Sequence, residues 1–257
     1  MNPFRRAART QPPPLTDEQT RLAWQAVSLL LDYPSEELLG RLPLLRRVAD
    51  GLPEPVRMPL TTFLTHLASV PLGEAQRAYV ETFDHTRKCS LYLTYFSFGD
   101  TRRRGVALVQ FKQAYRRAGV DLSEDELPDH LGVVLEFGAT ADLDAARKLV
   151  TDHRAGIEML RIALTDKGSP WADLIAAVCA TLQPLDGEGL EAVRRLIEHG
   201  PPQEDVGLEP YAIDPYTQGA PPPVSPPASA EFASLTLTPV RHDQAPSSRS
   251  SHVGAPS

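Results

Sequence analysis

The stretch Tyr79–Phe137 reads YVETFDHTRKCSLYLTYFSFGDTRRRGVALVQFKQAYRRAGVDLSEDELPDHLGVVLEF. It opens on a helix end with Tyr79, Val80 and Phe83, then crosses an aromatic loop holding Tyr92, Tyr95, Phe96 and Phe98. Gly99-Asp100-Thr101 starts a long helix that ends at Gly119, because glycine takes the left-handed turn after a last helical residue without a Cβ penalty. Four cations, Arg102, Arg103, Arg104 and Lys112, lie along it. Ser123-Glu124-Asp125-Glu126 reads as a capping box leading into a helix with His130, Leu131, Val134, Leu135 and Phe137. No part of the stretch alternates apolar and polar residues as a half-buried strand does, so its reading is helical.

The same signals continue on both sides. Upstream, Thr16-Asp17-Glu18-Gln19 is a capping box, followed by Leu22, Trp24, Val27, Leu30 and Leu31 at helical spacing. Ser35 caps a second helix with Leu38, Leu39, Leu42 and Leu45, which Gly51-Leu52-Pro53 breaks. A third helix is expected from about Pro55 to Ser69, with Pro59 early in it or kinking it, and a fourth over about Leu72 to Phe83. Downstream, Asp142 to about Leu164 reads as helix, divided near His153-Arg154. Ser169-Pro170-Trp171 reads as an N-cap with proline in the first turn, and a last helix covers about Gly189 to His199. The expectation is an all-α, single-domain helical bundle over 15–200, without repeat or glycine-rich phosphate loop.

Composition divides the chain in the same way. Of its 25 prolines, 12 fall in 201–257 and four in 1–14. Segment 1–14 carries +3, 15–200 carries -6 and 201–257 carries -4, for a net charge of -7. The ends are therefore expected to be a disordered N-terminal arm and a proline-rich disordered tail, unable to bury enough apolar area to offset their ordering entropy. An acidic chain is poorly suited to neutralising phosphates, so no nucleic acid is expected as partner. Arg5-Arg6 is followed by no apolar run, and no stretch is long enough to span a bilayer, so no direct membrane insertion is expected. Cys89 and Cys179, far apart, fit a reducing cytoplasm better than a disulfide framework. The histidines show no metal-ligand spacing, and no nucleophile stands beside a base, so catalytic, metal and cofactor-binding residues are all expected to be none.

Separated acidic and basic groups beside aromatics suit a charged amphipathic peptide. Tyr79, Phe83, Tyr92, Tyr95 and Phe96 either line an apolar groove for a partner helix or belong to the core. Arg102-Arg103-Arg104 either touches acidic surface or phosphate, or is a solvated face placed unfavourably at a positive helix end. Glu124, Asp125, Glu126 and Glu136 either add negative potential or form a solvated helix start.

The segments Tyr79–Asp84, Cys89–Tyr95, Gly99–Arg102, Phe111–Tyr115 and Glu126–Leu131 together resemble the NarJ family of assembly chaperones for respiratory nitrate reductase. That family lies within the all-helical TorD/DmsD-like class of molybdoenzyme chaperones. The resemblance covers about 16–200 and implies a cytoplasmic, non-enzymatic chaperone, monomer or weak dimer. Its implied partner is the apo catalytic (alpha) subunit of nitrate reductase, held partly by its N-terminal leader-like peptide. The implied task is insertion of the molybdenum-bis-guanine-dinucleotide cofactor into that partner before membrane attachment. A permanent adaptor subunit, or a chaperone of a related molybdoenzyme, is the alternative. Asp129-His130-Leu131 matches an Asp-His element associated in that class with leader-peptide binding. Asp129 is suited to an arginine fork, and His130 to a charge change near neutral pH, yet both also fit the first turn of a helix. The expected peptide-binding set is Asp129, His130, Leu131, Glu126, Glu136, Tyr79, Tyr92, Tyr95, Phe96 and Arg102.

Overall fold

The Thr16 cap closes in both directions. Gln19 N donates to Thr16 Oγ1 at 3.2 Å, and Thr16 N donates to Gln19 Oε1 at 2.9 Å. From it runs the first of eleven α-helices found among the described residues, 14–123 and 126–202, of this computed structural model. The helices are α1 (Asp17–Leu30), α2 (Glu36–Asp50), α3 (Glu54–Ser69), α4 (Leu72–Phe83), α5 (Leu93–Phe98) and α6 (Arg102–Arg117). After them come α7 (Leu131–Thr140), α8 (Leu143–Asp152), α9 (Arg154–Asp166), α10 (Trp171–Ala180) and α11 (Gly187–His199). A 3-10 turn, Arg87–Cys89, precedes α5. The arm and tail expected at the two ends lie outside the described residues, apart from Pro14, Pro201 and Pro202.

The all-α expectation holds. Ser35 caps α2 at Leu38 N, Asp142 caps α8 at Ala145 N, and Asp186 caps α11 at Gly189 N. Gly119, at φ 74, takes the left-handed position after α6. Pro59 lies inside α3. The expected break near His153 is real, since α8 ends and α9 begins there.

Three local expectations need correction. The aromatic loop is partly helical: Leu93–Phe98 forms α5, whose first turn is held by a residue far along the chain. The helix after Glu126 starts later than its acids imply, at Leu131, so Asp129 lies before it and His130 is its N-cap residue without a side-chain cap bond. Of the capping box proposed there, Glu124 and Asp125 lie outside the described residues. Ser169 does not cap α10 with its side chain; its carbonyl accepts from Ala172 N, and its buried hydroxyl has no partner among the described residues.

Helix α1 packs on α7, α2 and α10; α3 packs on α10 and α2; α9 packs on α10, α11 and α5. Trp24, Trp171, Tyr115, Phe63 and Phe111 are the largest fully buried side chains. Leu22, placed in the helical stripe by spacing, instead faces out, and Ala23 and Ala26 take its share of the buried face. Close approach of α1 and α7 depends on Gly138. A Cβ there would lie 2.6 Å from the Trp24 ring, so any side chain would drive the helices apart. Arg21 secures the same contact by donating to the carbonyls of Gly138 and Ala139 at 2.9 and 3.1 Å.

Candidate functional site

Two adjoining pockets open at the start of α7, the first beside α4, α5 and α6 and the second beside the end of α1, and Tyr92 and His130 belong to both. The two residues come from segments distant in sequence. An isolated antiparallel bridge pairs them, with Leu93 N donating to Asp129 O at 2.9 Å and Leu131 N to Leu91 O at 2.8 Å. Their rings meet edge to face at 5.6 Å and form the partition between the pockets.

The first pocket, of about 290 Å³, is aromatic and mixed in charge. Tyr79, Phe83, Leu91 and Tyr95 form its apolar wall, and Asp84, Arg87, Asp100 and Arg104 bring the charges. Tyr79 and Phe83 stand one helical turn apart with ring centres at 4.7 Å, and both pack edge-on against Trp171. These two residues thus satisfy both readings of the sequence, packing on the core while bordering the opening. The Tyr79 hydroxyl donates to Leu31 O at 3.0 Å, and burial, followed by the nearby Asp32 and Asp84, pushes its pKa up to about 12.

The second pocket, of about 310 Å³, is acidic. Asp32, Glu126 and Glu136 border it with Ser28, Leu29, Leu127 and Val133, and no Lys or Arg is among its lining residues. Glu136 therefore belongs to the mouth of a pocket. Burial pulls the His130 pKa below its ordinary value, against the opposing pull of Asp129, Asp32 and Glu126. His130 thus favours the neutral ring at neutral pH.

Behind the partition lies Asp129, which is fully buried at 0% exposure. Its Oδ2 accepts from Thr94 N at 3.2 Å and from Thr94 Oγ1 at 2.5 Å, which starts α5. Its Oδ1 is buried without a hydrogen-bond partner among the described residues. Arg104 stands in front of it. One guanidinium nitrogen lies 3.7 Å from Asp129 Oδ2 and another 3.7 Å from Asp100 Oδ1. Arg104 Nε donates to Thr94 Oγ1 at 3.1 Å, and the guanidinium carbon sits 5.4 Å from the centre of the Tyr92 ring.

The structure thus gathers Tyr79, Tyr92, Tyr95, His130, Glu126 and Glu136 around one divided opening. It separates the others from it. Phe96 and Leu131 are buried in the core, because α5 turns Leu93, Thr94 and Phe96 inward together; Phe96 is not a wall of this opening. Arg102 lies exposed in the first turn of α6 and borders neither pocket. The residue missed by sequence reasoning is Arg104. The signal for it was present, since Arg104 shares a helical face with Ala107, Phe111 and Tyr115, all buried. His153, at the break between α8 and α9, contacts Phe111 at 5.4 Å and Ser97 Oγ at 3.2 Å. Among the described residues no group of three or more His, Cys, Asp or Glu is placed to hold a metal ion, and no helix is long and apolar enough to cross a membrane.

An all-helical bundle with a divided opening, partly acidic and partly aromatic, is the class of protein that the fold and the site define. Comparison narrows the class: a family model described as "Nitrate reductase delta subunit" matches residues 49–177, and the chain belongs to that family. It is 34% identical over 174 residues to a Bacillus subtilis protein described as "Probable nitrate reductase molybdenum cofactor assembly chaperone NarJ", covering 66% of this chain and 92% of that one. It is 32% identical over 151 residues to the nitrate reductase molybdenum cofactor assembly chaperone NarJ of Escherichia coli, covering 58% and 64%. It is also 42% identical over 161 residues to the nitrate reductase-like protein NarX of Mycobacterium tuberculosis, 62% of this chain but only 24% of that longer protein.

Proposed function

We propose that this chain is a cytoplasmic chaperone that holds the apo catalytic subunit of a respiratory nitrate reductase while its molybdenum cofactor is inserted. The body responsible is the helical region 15–200, and the segments 1–14 and 201–257 are appendages to it. The chaperone carries no cofactor of its own and performs no covalent chemistry. It binds the N-terminal leader-like peptide of its partner across the Tyr92–His130 partition. Basic residues of the peptide are shared between the acidic pocket, toward Asp32, Glu126 and Glu136, and the charged edge of the aromatic pocket beside Arg104, while its apolar residues lie against Tyr79, Phe83 and Tyr95. The observation that supports this reading best is the division itself, in which an acidic pocket and an aromatic pocket share one wall.

Titration calorimetry with a synthetic peptide from the N-terminus of the catalytic subunit tests it. Glu126→Gln with Glu136→Gln is expected to weaken binding by about tenfold, since two charge-assisted contacts lose their charge. A wild-type protein that takes up no such peptide overturns the reading. The match to part of a longer nitrate reductase-like protein favours a second reading, a permanent adaptor within a larger assembly. Co-purification of this chain with mature, cofactor-loaded reductase would select it.

A further inference from the structure

Asp129, the carboxylate best placed by sequence to take a ligand arginine, borders neither pocket. The group that does border the first pocket is Arg104, one of whose guanidinium nitrogens lies 3.7 Å from Asp129 and another 3.7 Å from Asp100. Those two acids differ sharply, Asp129 being fully buried and the Asp100 side chain 69% exposed. Neither distance is that of a close bidentate pair, and Asp129 Oδ1 lacks any hydrogen-bond partner among the described residues. The chain has thus placed an arginine of its own over a buried carboxylate, stacked it on Tyr92, and left half of the carboxylate's accepting capacity unused.

We infer that Arg104 is a displaceable internal guanidinium, holding the Asp129 position until an arginine of the bound peptide takes it. This inference rests on the proposed peptide-binding function. On binding, the incoming fork engages both oxygens of Asp129, and Arg104 moves outward onto Asp100. Two arginines compete for one carboxylate, so affinity is set by the difference between the two pairings and not by the full strength of either. Arg104 acts as a specificity gate: a lysine, a point donor without the planar fork, gains less from the exchange.

The experiment is calorimetric titration of the full chain with a synthetic twin-arginine peptide from the catalytic subunit's N-terminus and with its Arg→Gln counterpart. Removing the competitor by Arg104→Ala is expected to tighten binding of the arginine peptide by about five- to tenfold, the worth of one ordinary net hydrogen bond. The gain should vanish with the Arg→Gln peptide. Asp100→Asn, at an exposed position, is expected to weaken binding about threefold, because the displaced Arg104 loses its alternative acceptor. Should Arg104→Ala not fold, Asp100→Asn decides alone. Arginine-peptide affinity that is unchanged or lower in Arg104→Ala, or unchanged or higher in Asp100→Asn, overturns the exchange while leaving the peptide-binding function standing. A wild-type chain that binds no peptide removes both.

Discussion

The α1–α7 contact at Gly138 and the Tyr92–His130 seam lie at opposite ends of the same helix, α7, and they are built on opposite principles. At α1–α7, every buried group is apolar or paired: Trp24 Nε1 donates to Thr181 Oγ1 at 2.8 Å, and Arg21 covers the carbonyls at the end of α7. At the seam, a fully buried acid keeps one oxygen without a partner among the described residues, and one arginine divides itself between two acids. The first arrangement maximises stability. The second retains unfulfilled polar capacity, which a bound peptide would supply under the proposed function.

The largest effect should come from the stability side. Trp24→Ala is expected to cost about 3–5 kcal/mol by removing a fully buried indole, read as the shift in urea denaturation free energy. A cost under about 1 kcal/mol would mean that the core is not where the comparison places it. Next, Asp129→Ala should cost about 2–3 kcal/mol, since Thr94 N loses its buried acceptor and the start of α5 loses its cap. Loss of peptide binding with the bundle's helical circular dichroism retained would show the seam as separable from the core.

Acid should act through two histidines with lowered pKa, His130 at the seam and His153 between α8 and α9. Burial lowers the pKa of both His130 and His153 below the ordinary 6.5. The unfolded chain therefore takes up protons first as pH falls. Stability is unaffected above about 6.5 and declines below it, until the folded-state values are reached. Denaturation midpoints measured from pH 8 to pH 5 should fall, and His153→Gln should flatten part of that slope. The smallest effect is expected at Ser169. Its hydroxyl is buried without a partner among the described residues, so Ser169→Ala should leave stability unchanged or raise it by about 0.5–1 kcal/mol in the same urea assay.

What could be read from the sequence follows this division. Helix α4 was placed at its full extent, and the caps Thr16 and Ser35 were readable, because each depends on residues within four positions of one another. The α8–α9 break at His153 was readable for the same reason. Helix α5 was not, because the acceptor that starts it stands 35 residues away. The role of Asp129 was obscured in turn: an acid just before α7 looks like a cap for α7, whereas its side chain serves α5. Six of the ten expected binding residues converge on the opening, since aromatics and acids gathered in one stretch are visible in the sequence. Choosing Arg104 over Arg102 required the face of α6 that packs inward, information that three consecutive arginines do not display. The network of Arg154, Glu158, Arg161 and Cys179 was invisible for a similar reason, as it joins α9 to α10; burial pushes the Cys179 thiol up to about 11, against the opposing pull of Arg154.

The lone bridge between Tyr92 and His130 has a consequence for timing. Each pocket needs both residues, and they meet only after the whole of α6 and the loop behind it have been closed into a circuit. Closing that circuit costs chain entropy that the local helices do not recover by themselves. A molecule whose helices have formed but whose circuit is open therefore has no partition and no slot. Under the proposed function, client capture is thereby reserved for chains that have themselves finished folding.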